Sequence, residues 1–270
     1  MDKVRPPRGD RAAVERRRQR VLDAVIAQGE VRIDDLTERF GVSLMTMHRD
    51  LDDLADRRLL RKLRGRVAAY PALTMETAKR FRVGLHRELK EALSAAAVAE
   101  IGRGQTLIID DSTTLFPLAR GLGAREPATV ITHSPDVARI VAGATDAEVV
   151  LLGGRYTEFD SCVGPDTIAA LRKVRADIAV LSVTALAGGR LYHPVREYAE
   201  VKTAILGACR QALLVVDHSK FGRTATYAHG DAGEFDLVIT DDETPAEEIE
   251  AIQALGTRVR TVSATNEERP

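Results

Sequence analysis

The sequence predicts an α/β protein built on a largely parallel sheet, preceded by a small three-helix unit carrying a β-hairpin. Three observations lead there. Beyond residue 105, short β-forming runs alternate with helical patterns. Before residue 70, a helix, a short helix, a glycine turn and a third helix follow in close order. Charge also divides unequally: residues 1–70 hold 17 Lys and Arg against 12 Asp and Glu, and residues 71–270 hold 22 against 28. A basic head on an acidic body assigns any polyanion to the head.

At 270 residues the chain exceeds one average domain, and 44% hydrophobic content suffices for a packed core. The expected organisation is a disordered basic tail at 1–12, a helical head at 13–70, a linker at 71–80 and the α/β body at 81–265. Cys162 and Cys209 form no CxxC pair and are expected as reduced thiols. The first twenty residues lack an apolar core, so no signal peptide is expected. No run approaches a membrane span. The expectation is a cytoplasmic protein without a membrane partner.

In the head, Val14, Val21, Leu22, Val25 and Ile26 mark one face of a helix over 13–28, with Gly29 as its C-cap. "DDLTERF" forms a second, short helix with its acidic pair in the first turn, where the helix dipole favours negative charge. "GVS" is a tight turn ending in the N-cap Ser43, and a third helix runs from 44 to 58. Leu44, Met47, Leu51 and Leu54 fall on its inner face, while Met45, Thr46 and Arg49 point the opposite way. This is the helix-turn-helix plan, whose last helix enters the major groove of double-stranded DNA. "LLRKLRGRVAAYP" then predicts a wing, with Arg61, Lys62, Arg64 and Arg66 available to phosphates.

In the body, a helix over 79–101 stops at "GRG". Strands are predicted at 106–110, 128–132, 147–152, 177–183, 212–217, 235–240 and 258–262. Helices are predicted at 114–122, 135–143, 165–174, 197–209 and 245–255. Ligands of such sheets bind beyond the carboxyl ends of the strands, which singles out four loops. "IIDDSTTLF" sets Ser112, Thr113 and Thr114 where a helix begins, as an anion site or simply as a cap. "ITHSPDVA" is a helix start led by Ser134 and Pro135. "LLGGRY" offers Gly153 and Gly154 for close backbone approach or merely for a turn. "VVDHSKFGR" puts Lys220 after a buried strand. His133 and His218 share no metal spacing with another His or Cys, and neither a metal nor a cofactor is expected. The Asp110–Asp111 pair leaves two further readings open, a phospho-acceptor site and the carboxylate base of a phosphosugar isomerase.

These motifs together resemble a known family. "VRIDDLTERFGVSLMTMHRDLDDLADRRLL" looks like the DNA-binding domain of DeoR-family bacterial transcription regulators, where the pattern is V-S-x-x-T-[IV]-R-R-D-L-x-x-L. Val42, Ser43, Thr46, Arg49, Asp50, Leu51 and Leu54 match in register. "IIDDSTT", "LLGG", "VGP" at 163–165, Lys202 in "EVKTAI" and "DHSKFGR" are similar to motifs of that family's effector domain, so the resemblance spans residues 14 to 262.

The resemblance implies a non-enzymatic repressor with a body similar to the ribose-5-phosphate isomerase and glucosamine-6-phosphate deaminase folds. It implies a phosphorylated sugar as effector and a homo-oligomer, dimer or tetramer. DNA contacts would come from Ser43, Met45, Thr46, His48, Arg49 and the wing's Arg61, Lys62, Arg64 and Arg66. Effector contacts would come from Asp110, Ser112, Thr113, Thr114, His133, Gly153, Gly154, Lys202 and Lys220, with the two threonines on the phosphate and Asp110 on a sugar hydroxyl. The sequence departs from the family at His48, at Leu44 and Met45, and in the wing's "RGR". It departs again at Ser112 for Gly, His133 for Asn and Tyr198 for Glu.

Overall fold

The computed structural model describes residues 30–56, 59–69, 79–157 and 159–263, and within the first helix residues 14, 15, 17, 18, 20–22, 24 and 25. The expected tail at 1–12, Ile26, Gly29 and residues 71–78 of the expected linker lie outside them. Two compact units emerge, Met1–Arg82 and Val83–Pro270.

In the first unit the described residues between 14 and 25 are helical and bury Val21, Leu22 and Val25. Strand β1 (Glu30–Arg32) leads into helix Ile33–Phe40. Gly41 ends that helix at φ 61°, a left-handed conformation that costs a glycine little. Ser43 Oγ then accepts the Thr46 N–H at 3.2 Å and starts helix Leu44–Asp56. Met47, Leu51 and Leu54 are buried as the periodicity requires. Leu44 is not: it is 48% exposed, because as the first residue of the helix it overhangs the apolar contact. The fourth inward position belongs to Asp50. Strands β2 (Leu60–Leu63) and β3 (Arg66–Ala69) form the wing, turning at Gly65 (φ 70°). The sheet order is β1–β3–β2, so the wing is anchored by a strand that precedes the helix-turn-helix.

The helix expected over 79–101 is not continuous. Lys79–Gly84 and Arg87–Ala99 are separate helices, broken where His86 takes φ 51° and ψ 43°. Residues 79 and 80, expected in the linker, are therefore helical. The main sheet comprises β4 (Thr106–Ile109), β5 (Thr129–Thr132), β6 (Glu148–Leu151), β9 (Ala176–Leu181), β12 (Cys209–Val215), β14 (Leu237–Asp241) and β15 (Arg258–Val262). All its pairings are parallel, in the order β15–β14–β12–β9–β4–β5–β6. These are the seven expected strands.

Alternate residues of each strand supply two cores, one per face. Leu107, Ile109, Val130, Ile178 and Val180 meet Leu93 and Ala97 of helix Arg87–Ala99 and Val137 and Val141 of helix Pro135–Ala144. Ile108, Ala179, Leu181 and Leu214 meet Leu171 of helix Pro165–Leu171 and Val201 and Ile205 of helix Arg196–Gly207. The result is a three-layer α/β/α body.

Two small antiparallel additions stand outside this ladder. β7 (Arg155–Tyr156) pairs with β8 (Cys162–Val163), and β10 (Ala185–Ala187), β11 (Arg190–His193) and β13 (Tyr227–Asp231) form a three-stranded sheet. Both cysteines are free; Cys209 is buried and Cys162 half-buried, and burial raises both thiol pKa values.

Candidate functional site

The chain runs outward from β4 through β5 to β6, then returns to add β9 on the other side of β4. The order of the sheet therefore reverses between β4 and β9, and a crevice forms beyond their carboxyl ends. Asp110 follows β4 and Ser182 follows β9 at that point. The Asp110 N–H donates to the Val180 carbonyl, while Asp110 Oδ2 accepts the Ser182 N–H at 2.9 Å. Asp110 Oδ1 accepts the Ser112 N–H at 2.9 Å.

Lys202 completes this arrangement. Its Nζ donates to Asp110 Oδ2 at 2.5 Å and to the Ser182 carbonyl at 2.9 Å, and both charged side chains are buried. The family resemblance assigns Asp110 and Lys202 separately to a ligand; the structure pairs them with each other. Asp110 already accepts three hydrogen bonds, which suits a fixed wall better than the free base an isomerase would need.

Ser112, where glycine is usual, has φ −67° and so needs no glycine; its hydroxyl accepts the Thr114 N–H at 3.4 Å. Thr113 and Thr114 are buried in a short 3-10 turn, Thr113–Leu115, followed by a helix of six residues, Phe116–Gly121. So short a helix has a weak dipole. Positive charge comes instead from a side chain the sequence reading passed over. Lys90, buried in helix Arg87–Ala99, reaches Thr113 Oγ1 at 3.4 Å, and one turn further on Ser94 Oγ donates to the Thr114 carbonyl at 3.2 Å. The signal was present: Lys90 lies in step with Leu93, Ser94 and Ala97 on the inner face.

Lys220 sits in the 3-10 turn His218–Lys220 after β12 and is buried. Asp217 beside it accepts the Ser219 N–H at 3.0 Å. Burial alone would raise the Asp217 carboxyl. Lys220, the Ser219 hydrogen bond, His86 and Lys90 outweigh it and hold that carboxyl below its usual pKa. Lys90 and Lys220 thus both act on the Asp217 carboxylate, and Lys90 also reaches the Thr113 hydroxyl. His218 Nδ1 donates to Asp241 Oδ1 at 2.7 Å, and its ring meets that of His86 edge-on at 5.5 Å.

Gly154 adopts φ 141°, and a Cβ there would stand 2.1 Å from Thr167 Oγ1 and 2.9 Å from the Val163 carbonyl. Thr167 Oγ1 donates to the Gly153 carbonyl at 2.7 Å. Gly154 thereby closes the loop against helix Pro165–Leu171. Gly153 has open space around its Cα. His133 follows β5 and is 2% exposed, and Tyr198 lies on the same helix face as Lys202, four residues earlier.

In the first unit, Ser43, Met45 and Arg49 are exposed and Thr46 and His48 half-exposed on helix Leu44–Asp56, with Met45 at 67%. Arg61, Lys62, Arg64 and Arg66 are all exposed on the wing. Lys62 Nζ lies 3.4 Å from His48 Nδ1 and 2.5 Å from Asp52 Oδ1, tying wing to helix. Arg66 pairs with Glu30 at 2.8 Å. Beneath this surface, Asp50, 2% exposed, accepts Arg17 Nε at 2.7 Å and Arg18 Nε at 3.0 Å. Arg18 also reaches Asp53 at 2.8 Å.

A winged helix-turn-helix in one chain with a parallel α/β unit that carries a polar cluster at its switch point defines a ligand-sensing transcription regulator. The chain belongs to the DeoR family: residues 17–71 match the DeoR-like helix-turn-helix domain and residues 85–242 the DeoR C-terminal sensor domain. It is 32% identical over 231 residues to the glycerol-3-phosphate regulon repressor of Escherichia coli K12, covering 83% of this chain and 90% of that one. The HTH-type transcriptional repressor CsqR of the same strain is 30% identical over 85% of this chain and 88% of its own. The HTH-type transcriptional regulator GlpR of Haloferax volcanii is 29% identical over 90% and 96%. Ribose 5-phosphate isomerase A from Neisseria gonorrhoeae overlaps 49% of this chain and 52% of its own at 14% identity and a TM-score of 0.37, too slight to carry an argument. No described helix is long and apolar enough to cross a membrane.

Proposed function

We propose that this protein represses a carbohydrate-metabolism operon and releases its operator when a phosphorylated sugar or related metabolite binds beyond β4 and β9. The observation that supports this most directly is the cluster of Lys90, Lys220, Thr113 and Thr114 at the switch point. Two buried ammonium groups over one carboxylate, beside hydroxyls, suit a phosphate. The names of the relatives point the same way, since one is a repressor of a glycerol-3-phosphate regulon. Asp110 and Lys202 would act as the rigid wall of the crevice, with Ser112, Gly153 and Gly154 shaping its rim.

On DNA, Thr46 and Arg49 would face base edges, with Met45 and His48 beside them. Ser43, Arg61, Lys62, Arg64 and Arg66 would contact phosphates. Operators of this kind pair two half-sites, so the working form is a homo-oligomer, at least a dimer. A ligand relieves repression only by favouring the weakly binding state.

The test is selection of genomic fragments on the purified protein, followed by anisotropy titration with and without pentose and hexose phosphates. Enriched fragments should share a two-half-site sequence, and a phosphosugar should weaken binding where its unphosphorylated parent does not. Equal effects of both sugars, or turnover of the phosphosugar, would defeat the proposal.

A further inference from the structure

The two edges of the seven-stranded sheet are built differently. β15 closes one side and carries Arg258 and Arg260, both exposed. Charges on an outermost strand discourage pairing with a further strand. β6 closes the other side with "EVVL", whose one charge, Glu148, stands at its first residue. The rest of β6 is apolar and incompletely covered: Val149 and Val150 are half-buried and Leu151 is 48% exposed.

The backbone of β6 shows which of its groups face outward. The Glu148 N–H donates to the Ala128 carbonyl at 3.1 Å and the Leu152 N–H to the Thr132 carbonyl at 2.8 Å. Even-numbered residues therefore bond β5, and the residues between them point their N–H and C=O groups the other way. Val149 and Leu151 present theirs at the rim of the sheet, where no described strand meets them. Side chains alternate too, so Leu151 lies on the same face as Val149. Ile140 and Ala147 are packed, half-buried, against the same core as Val149. An apolar strip thus coincides with a row of outward peptide groups.

We propose that a second copy of this chain docks on β6, strand against strand and antiparallel, about a two-fold axis at Val150. A two-fold pair uses the same patch on both copies, and only the antiparallel ladder lets identical strands exchange identical bonds. Val149 of one copy would bond Leu151 of the other, Leu151 would bond Val149, and Val150 would stand opposite Val150. The charges agree with that sense. Asp146 and Glu148 are exposed at the amino end of β6, and Arg155 is exposed beyond its carboxyl end. Antiparallel docking sets the acidic end of each copy towards the basic end of the other; parallel docking would set like against like. Arg155 Nη2 donates to Glu197 at 2.8 Å, and the guanidinium has further N–H donors for a carboxylate across the seam. This seam deepens the homo-oligomer reading under Proposed function and rests on it.

The experiment is sedimentation velocity of the full chain and its variants over a range of concentrations, with cross-linking by mild oxidation. Val149→Pro removes an outward N–H and spares the bonds to β5, and Leu151→Lys puts a charge on the strip. Each should weaken association at least tenfold, whereas Thr261→Lys on β15 should leave it unchanged. Val150→Cys should form an intermolecular disulfide that the wild-type chain, with Cys162 and Cys209, does not form. Directly opposed positions of an antiparallel pair lie within the Cα separation a disulfide spans. Leu151→Lys, at an exposed position, serves if Val149→Pro fails to fold. An oligomer unaffected by both edge variants, with no cross-link in Val150→Cys, overturns this seam and leaves the oligomer standing. A wild-type chain that stays monomeric overturns both, and leaves the edge to a strand of another protein.

Discussion

Lys202 and Asp110, 92 residues apart in the chain, meet at 2.5 Å in the interior of the sensor unit. Their pair joins helix Arg196–Gly207 to the end of β4, and the Ser182 backbone, bonded to both, joins β9 to the same point. Removing one partner leaves the other charged and buried. Lys202→Met should therefore destabilise the unit by about 3–5 kcal/mol, and Lys202→Met with Asp110→Leu should recover much of that loss. Chemical denaturation of the two variants decides it; equal losses would show that the charge pair is incidental.

Arg49 is exposed on the outer face of helix Leu44–Asp56. If it meets a base edge, Arg49→Ala costs about 1–3 kcal/mol on the operator and much less on random DNA. A titration on both DNAs at one salt concentration separates the outcomes, and equal losses would reassign Arg49 to phosphate.

Asp50 sits one residue away and faces inward, holding Arg17 and Arg18 of the first helix. Asp50→Ala should lower the stability of the DNA-binding unit by several kcal/mol, since two arginines lose a buried partner. Unlike Arg49→Ala, it should weaken specific and non-specific DNA equally, because the whole helix loses its orientation. A melting profile unchanged from wild type would contradict this.

The glycine pair after β6 should respond unequally. Gly154→Ala forces a methyl group into Thr167 Oγ1 and the Val163 carbonyl and should cost about 1–3 kcal/mol, whereas Gly153→Ala meets open space. Comparing the melting temperatures of the two variants tests the assignment, and matching values would refute it.

His229 makes stability depend on pH. Its pKa falls from 6.5 to about 3 on folding, so the unfolded chain binds the extra proton in that window. The contribution is complete above pH 6.5 and is lost as pH falls towards 3, by up to about 1.4 kcal/mol per pH unit. Denaturation at pH 7 and pH 5 should show a steeper loss in wild type than in His229→Gln. Parallel profiles would mean that His229 is protonated in the fold.

The seven ladder strands were legible because buried parallel strands read as runs such as "TLII", "TVIT" and "ALLVV", bounded by Gly, Pro or Asp. The helix-turn-helix was legible because Gly41 and Ser43 mark its turn chemically. β7, β8, β10, β11 and β13 were not, since sequences such as "RY", "RLYH" and "YAHGD" offer neither an unbroken apolar run nor a sustained alternation. The break at His86 escaped notice because nothing local forbids "RFRVGLHRELK" from continuing as a helix. As candidates for the site, Ser112, Thr113, Thr114, His133, Lys202 and Lys220 could be named from the sequence and its family resemblance. What each touches could not: the Asp110–Lys202 pairing is a long-range contact, and Lys90 and His229 are polar residues on faces whose burial only the fold decides.

The two small antiparallel additions have a consequence for how this regulator can change. The Lys90, Thr113 and Lys220 end is made of segments that adjoin the central ladder, where substitution disturbs the core. Cys162, whose carbonyl orients His133, belongs to β8, and His193 and His229 belong to β11 and β13, strands of small antiparallel sheets that add no rung to the seven-stranded one. Positions such as His193 can therefore vary without touching the ladder, whereas Val163, Leu186 and Leu191 of the same appendages are packed into its core and carry part of the scaffold's thermodynamic reserve.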